Sequence, residues 1–319
     1  MRIAYIILAH RYPEQLIRLI LKLNTENNSF FVHIDKKTND KIYHQIVSGL
    51  SHIPNVYFLK RHKCYWGDFG IVNATVEGIK ELFNRNISFD RLRLLSGQDY
   101  PIKSNSQIEE FLRENAGKQF ISYEYYLIPP EKSWPTSGSD RIDYWHFSLG
   151  KMRFVFPAKL TASTANRVRL KKLAWLRAFS ALWSGLMFLF PPIKRNLPEG
   201  FRPFIGSQFW CLSKDCVEYI HNFMQHNPAF VNFFKYVDIP DEMFFQTIIL
   251  NSPFKESVIN DNLVYIDWEN PNPSYPRTFV KTDFEILVSS SKLFARKFDV
   301  SRDADILDMI DQKILNDDS

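Results

Sequence analysis

Cysteine is scarce in this chain of 319 residues: Cys64, Cys211 and Cys216 are the only three. An odd count without framework spacing excludes a disulfide scaffold and fits a reducing compartment. Cys211 and Cys216 lack the spacing of a zinc knuckle, and no His pair flanks them, so they read as plain buried thiols. Long hydrophobic runs are also missing. The opening MRIAYIILAH stops at Arg11 and Pro13, too short for the apolar region of a signal peptide and without a small-residue cleavage site. The expected location is therefore the cytoplasm. Neither Gly-x-x-x-x-Gly-Lys-Ser/Thr nor Gly-x-Gly-x-x-Gly occurs, which disfavours an NTPase and a dinucleotide oxidoreductase. No internal repeat or low-complexity tract is visible. Acidic residues are absent from Tyr144 through Pro198, where ten Lys and Arg fall, whereas Asp299–Ser319 holds seven Asp and two basic residues. The net charge of +5 thus hides local asymmetry and says little by itself.

What is present fits one large or two closely packed domains, with 45% hydrophobic and 24% charged residues. The 15% aromatic share supplies stacking surfaces as well as core. Residues 3–9 form a continuous apolar run, Pro13 opens a helix with Leu16, Ile17, Ile20 and Leu21 at helical spacing, and residues 29–34 form a second apolar run. That strand–helix–strand unit favours a parallel sheet. Further strands are expected at Val56–Leu59, Arg91–Leu95, Phe120–Tyr123, Phe209–Leu212 and Asn262–Tyr265. Helices are expected at Ile71–Phe83, Ser106–Glu114, Lys214–His226, Phe244–Leu250 and Thr282–Ser290. The fold class is α/β, an open, mainly parallel sheet flanked by helices. It divides into an α/β half over 1–126, a loop-rich excursion with a helical basic and apolar insert over 127–200, and a second half over 201–319.

Three groups of residues could carry chemistry. His10, Asp35, Trp66 and the run Ser96-Gly97-Gln98-Asp99-Tyr100-Pro101 lie just beyond apolar strands, where a parallel sheet binds a nucleotide. Each alone reads more simply as a turn or cap residue. A diphosphate there needs either a divalent metal on an Asp-x-Asp pair or fixed cations. The one Asp-x-Asp, Asp303-Ala304-Asp305, sits in the acidic tail, where a solvated helix is expected. Arg277 and Lys297 could act as fixed cations, although spacing alone does not select them. Finally, Pro240-Asp241-Glu242 opens a helix. A cap with a first-turn Glu and a general base balance evenly on the residues alone.

These segments resemble, in order, the family of core-2/I-branching β-1,6-N-acetylglucosaminyltransferases and peptide O-xylosyltransferases, in a small bacterial-type form. The resemblance rests on AYIILAH, FFVHIDKKT, CYWGDF (64–69), LLSGQDYPIKS, GSQFWCLSKD, PDEMFFQTI, YIDW, YPRTF and KLFARKFD, and leaves residues 127–200 unmatched. It implies a GT-A-like fold and an inverting, metal-independent transfer of a sugar, GlcNAc or xylose, from a UDP-sugar. It also implies Glu242 as base, Asp241 as a cap, Arg277 and Lys297 on the diphosphate, and a uridine site near His10, Asp35 and Trp66. No cofactor beyond the UDP-sugar is expected. The alternatives are a catalytically silent glycan-binding factor on the same fold and a metal-dependent transferase using Asp99 or the Asp303/Asp305 pair.

Residues 167–195 combine seven Lys and Arg with an uncharged run from Ala178 to Pro192, shorter than the ~20 residues a bilayer span needs. The composition predicts a segment lying on an anionic membrane, at the inner face, with a glycan or lipid-linked glycan as acceptor. A buried helix with a basic face is the competing reading. Nucleic acid fits poorly, because the centre of the segment carries no charge.

Overall fold

The run Ile3–Ala9 (β1) is buried along nearly its whole length, and its side chains alternate between two apolar layers. Ile3, Tyr5 and Ile7 enter one core with Leu16, Leu19, Ile20 and Phe30, while Ala4 and Ile6 enter the other with Phe31, Val72, Leu92 and Leu94. A strand covered on both faces is the reason the sequence shows no polar alternation there. The computed structural model describes residues 1–125, 139–149, 152–156, 195–269 and 275–315.

The described elements follow in chain order. After β1 come α1 (Pro13–Leu23), β2 (Ser29–Ile34), α2 (Asp40–Leu50), β3 (Val56–Phe58), α3 (Gly70–Asn84), β4 (Arg91–Ser96), β5 (Asp99–Pro101), α4 (Asn105–Glu114) and β6 (Gln119–Tyr125). A short helix α5 (Ser139–Asp143) and a hairpin of β7 (Trp145–Leu149) and β8 (Met152–Phe156) precede β9 (Phe204–Ser213), α6 (Lys214–His226) and α7 (Pro228–Phe234). A 3-10 turn over Pro240–Glu242 leads into α8 (Phe244–Leu250). Then come β10 (Val258–Ile259), β11 (Val264–Ile266), α9 (Phe284–Ser289), β12 (Phe294–Arg296) and α10 (Asp305–Ile310).

Seven strands form the main sheet in the order β10-β6-β9-β4-β1-β2-β3. All pairings are parallel except those of β9, which runs against both β4 and β6. The expected α/β architecture, a mainly parallel sheet flanked by helices, is the one observed. A second sheet, β11-β12-β5, sits at the carboxyl edge of the first and pairs Arg296 with Asp99. Its three-residue strands carry the end of the chain back to the rim where β1 and β4 finish.

Two expectations need correction. The acidic tail is not a solvated helix: Ile306, Leu307 and Ile310 of α10 are buried in the first core, and Asp311 bonds Tyr100, Arg18 and Lys22. Burial of three aliphatic side chains outweighs the tail's acidity, because its aspartates face outward or meet cations. The excursion over 127–165 holds regular structure where it is described, namely α5 and the β7–β8 hairpin.

Residues 157–194, which include nearly all of the basic apolar insert, lie outside the described residues. Arg195 is described and is buried, donating to the carbonyls of Phe233 and Tyr236 with its guanidinium over the rings of Trp145 and Phe233. This cation of the insert faces protein and not lipid. No described helix is long and apolar enough to cross a membrane.

Candidate active site

The carboxyl ends of β1, β2 and β4 form one rim, and the loop over residues 62–69 runs along it. Asp35 follows β2 and is nearly buried. Its Oδ1 accepts from the amides of Lys37 (2.8 Å) and Cys64 (3.4 Å), and its Oδ2 lies 3.3 Å from Lys37 Nζ. Lys37 Nζ also donates to the Cys64 carbonyl at 2.6 Å. Asp35 thereby ties the loop to the sheet. His10 follows β1 beside it. Crowding by protein, then the Arg11 charge, lower its basicity, and Asp35 opposes that.

Three further candidates from the sequence meet at this rim in different roles. Gly97 donates its amide to the Leu8 carbonyl, and a Cβ there would stand 3.3 Å from that of Ala9, a tight approach that favours glycine at the crossing of β1 and the 96–99 turn. Ser96 and Asp99 bond each other, through Ser96 Oγ to Oδ1 (3.0 Å) and the Ser96 amide to Oδ2 (2.7 Å). Asp99 is fully buried and paired with Arg296 at 3.3 Å. A carboxylate with no exposed surface cannot touch a nucleotide, so Asp99 is a structural anchor and not the ligand expected. Burial raises its proton affinity, and Arg296 counters that.

Trp66, 61% exposed, stands further along the loop with the Arg153 guanidinium 5.3 Å from its ring. Gly67 next to it accepts from the Ile239 amide at 3.1 Å. Trp66 therefore belongs with the Pro240–Glu242 turn, and the loop joins that turn to the strand rim. Sequence spacing did not reveal this proximity.

The turn itself is a 3-10 turn in which neither carboxylate caps a helix. The expectation that Asp241 is a cap fails, because Ile239, in a left-handed conformation, occupies the cap position before the turn and Met243 the cap position before α8. Asp241 is buried, and its Oδ1 has no partner among the described residues. Burial, then the neighbouring Glu242 charge, push its pKa up to about 7. Glu242 is partly exposed at 22%, with Oε2 accepting from Arg141 Nη1 at 2.9 Å. Its Oε1 makes no hydrogen bond among the described residues. Desolvation raises its proton affinity while the Arg141 charge and hydrogen bond lower it. Of two adjacent acids, Asp241 is the more deeply buried, while Glu242 has the Arg141 cation hydrogen-bonded beside it. Arg141 was missed in the sequence, where nothing distinguishes it from the other basic residues of that region.

The two basic candidates come close through the backbone, since the Phe279 amide donates to the Lys297 carbonyl at 2.9 Å. Their side chains differ. Arg277 donates from Nε to Asp267 (2.8 Å) and from Nη1 to both oxygens of Asp283 (2.9 and 2.8 Å). Lys297 is half-buried, and desolvation and then the like charges of Arg11 and Arg296 make it less basic than an ordinary lysine. Among the described residues no three His, Cys, Asp or Glu side chains converge as a metal site requires.

The profile described as Core-2/I-Branching enzyme matches residues 3–142 and 155–288. The match extends into the region between 127 and 200 that had appeared unrelated, and it ends before Lys297. Xylosyltransferase 2 from Rattus norvegicus is 26% identical over 334 aligned residues, which cover 97% of this chain and 33% of that protein. Beta-glucuronosyltransferase GlcAT14B from Arabidopsis thaliana is 34% identical over 125 residues, 38% of this chain and 28% of its own length. The chain thus spans about a third of these relatives. Among solved structures, the mannosyltransferase Ktr4p from S. cerevisiae superposes with a TM-score of 0.33 at 10% identity, over 80% of this chain and 67% of that one.

Proposed function

The chain belongs to the Core-2/I-branching enzyme family, and from that premise we propose that it is an inverting glycosyltransferase with Glu242 as its base. The observation that carries the reading is the setting of Glu242: partly desolvated, anchored through Oε2 by Arg141, and with Oε1 unbonded among the described residues. Desolvation makes it a stronger base than a surface glutamate, as the task requires. The adjoining loop leads from this carboxylate to the strand rim, so an acceptor at Glu242 and a nucleotide at the rim would share one cleft.

In the reaction, Glu242 takes the proton of the acceptor hydroxyl as that oxygen bonds to the anomeric carbon of the donor. The bond from that carbon to the diphosphate oxygen breaks on the opposite face, which inverts the centre. The donor is a UDP-sugar, with xylose or GlcNAc as the sugar, and the acceptor is a glycan or lipid-linked glycan. Fixed cations at the rim balance the leaving diphosphate. The relatives' names, xylosyltransferase and glucuronosyltransferase, support the reaction class.

Proton NMR of the first product formed from an α-linked UDP-sugar tests the stereochemistry. A β-anomeric coupling is expected; an α product would refute direct displacement assisted by Glu242.

A further inference from the structure

Resting on the transferase reading, we propose that Arg153 is a positioning residue, which fixes the turn carrying Glu242 against the loop over residues 62–69 without itself touching substrate. That turn has a weak point at its start. Ile239 adopts φ 52° and ψ 58°, in the left-handed region. A β-branched residue is strained there, and keeps such a backbone only where its surroundings over-determine it. The direction in which Pro240–Glu242 leaves, and with it the place of the Glu242 carboxylate, depends on this residue.

The restraint comes from two sides. On one side stands the segment of α5 and the β7–β8 hairpin. The Asp238 amide donates to the Arg141 carbonyl at 3.1 Å, and the His146 amide to the Tyr236 carbonyl at 2.9 Å. On the other side the Ile239 amide donates to the Gly67 carbonyl at 3.1 Å. Arg153, on β8, joins the two. Its Nη2 donates to that same Gly67 carbonyl at 3.0 Å and to Asp238 Oδ1, and its guanidinium lies 5.3 Å from the Trp66 ring.

The chemistry of the side chain suits this task. A planar guanidinium carries several donors in one rigid fork, so it can hold a carboxylate and a carbonyl at once. The pair is largely shielded, with side-chain exposures of 19% for Arg153 and 13% for Asp238, which strengthens it over a pair in open water. Gly67 has φ 75°, and a Cβ there would run into the guanidinium, so glycine admits the cation. The loop is anchored separately at its rim end, where Asp35 accepts from the Cys64 amide and Lys37 donates to the Cys64 carbonyl. Loss of Arg153 therefore frees the Gly67 end and the turn while the rim end stays. A reacting group displaced by about 1 Å can lose on the order of 100-fold in rate with binding retained.

Release of UDP from UDP-xylose and UDP-GlcNAc by the full chain, beside calorimetric titration with UDP, tests this. Arg153→Met is expected to lower kcat by about 10- to 100-fold and to leave the affinity for UDP unchanged. Arg153→Lys keeps the charge without the fork and should recover only part of the rate. If Arg153→Met does not fold, Asp238→Asn, which keeps the shape of the partner and drops its charge, should show the same split on a smaller scale. A variant that melts at a lower temperature yet turns over at the wild-type kcat would overturn the proposal, since Arg153 would then only stiffen the hairpin. A loss of UDP affinity as large as the loss of kcat would overturn it too, by making Arg153 a ligand of the donor; both results leave the transferase reading intact. A wild-type protein that turns over no UDP-sugar would overturn both.

Discussion

Two carboxylates in one turn do not both ionise cheaply, and at residues 241 and 242 the surroundings decide which one does. Asp241 is buried with an oxygen unpartnered among the described residues, while Glu242 meets solvent and Arg141. A protonated Asp241 removes a repulsion that would otherwise oppose the charge on the base. This has a consequence for stability. The folded pKa of Asp241 lies near 7, above its unfolded value. The folded state therefore binds the proton more tightly, and the stability that results is present at low pH and lost as pH rises from about 4 to about 7. Asp241→Asn, which cannot ionise, should flatten that decline and gain on the order of 2 kcal/mol over wild type at pH 8. Thermal melts of both proteins from pH 4 to 8 measure it; parallel curves would show that Asp241 is ionised in the fold. None of this was legible in Pro240-Asp241-Glu242 as text, because cap and base share the same residues there, and the sequence does not disclose which neighbours enclose them. Asp99 teaches the same lesson in reverse: its place after a strand suggested a ligand, and only full burial against Arg296 marks it as an anchor.

At the scale of elements, the strands that the sequence announced are those buried on both faces. β1 and β2 are largely apolar because α1 and α2 cover one side and α3 and α6 the other, whereas β4 is as deeply buried with Arg91 and Arg93 among its leucines. The elements it concealed lack that signature. Helix α2 buries only Ile46 and Leu50, and β5 and β12 are three-residue strands defined by each other's register. β9 also proved longer than expected, since its first half pairs with β6 across an irregularity between Ile121 and Tyr123. Gly206 makes that irregularity possible: a Cβ there would stand 1.9 Å from the Ser122 carbonyl oxygen, with no flexible side chain to yield. Gly206→Ala should cost about 1–3 kcal/mol, the usual penalty of forcing atoms into a packed site. Denaturant titration checks it; an unchanged midpoint would mean that the two strands separate without penalty.

For the whole molecule, the decisive contacts are long in sequence. Glu242 meets Arg141 across 101 residues, Arg11 meets Gln98 across 87, and Tyr12 meets Asp299 across 287. The closing part of the chain is drawn back over the first half by Tyr100, Arg18 and Lys22 on Asp311 and by the aliphatic face of α10. This return places Lys297 at the rim where β1 ends. Short motifs in order conveyed that the parts exist, and local patterns conveyed most strands and helices. Which cations are taken up by carboxylates after folding was not readable, because Arg277 becomes committed only when Asp267 and Asp283 converge on it. The central claim is that this assembly transfers sugar by means of one carboxylate and fixed cations. Release of UDP from a panel of UDP-sugars, with and without EDTA, in wild type and Glu242→Gln, tests it most directly. The account predicts wild-type turnover that survives EDTA and a loss of about 100- to 10,000-fold in Glu242→Gln with folding unchanged. Turnover that stops in EDTA, or a Glu242→Gln protein as active as wild type, would contradict it.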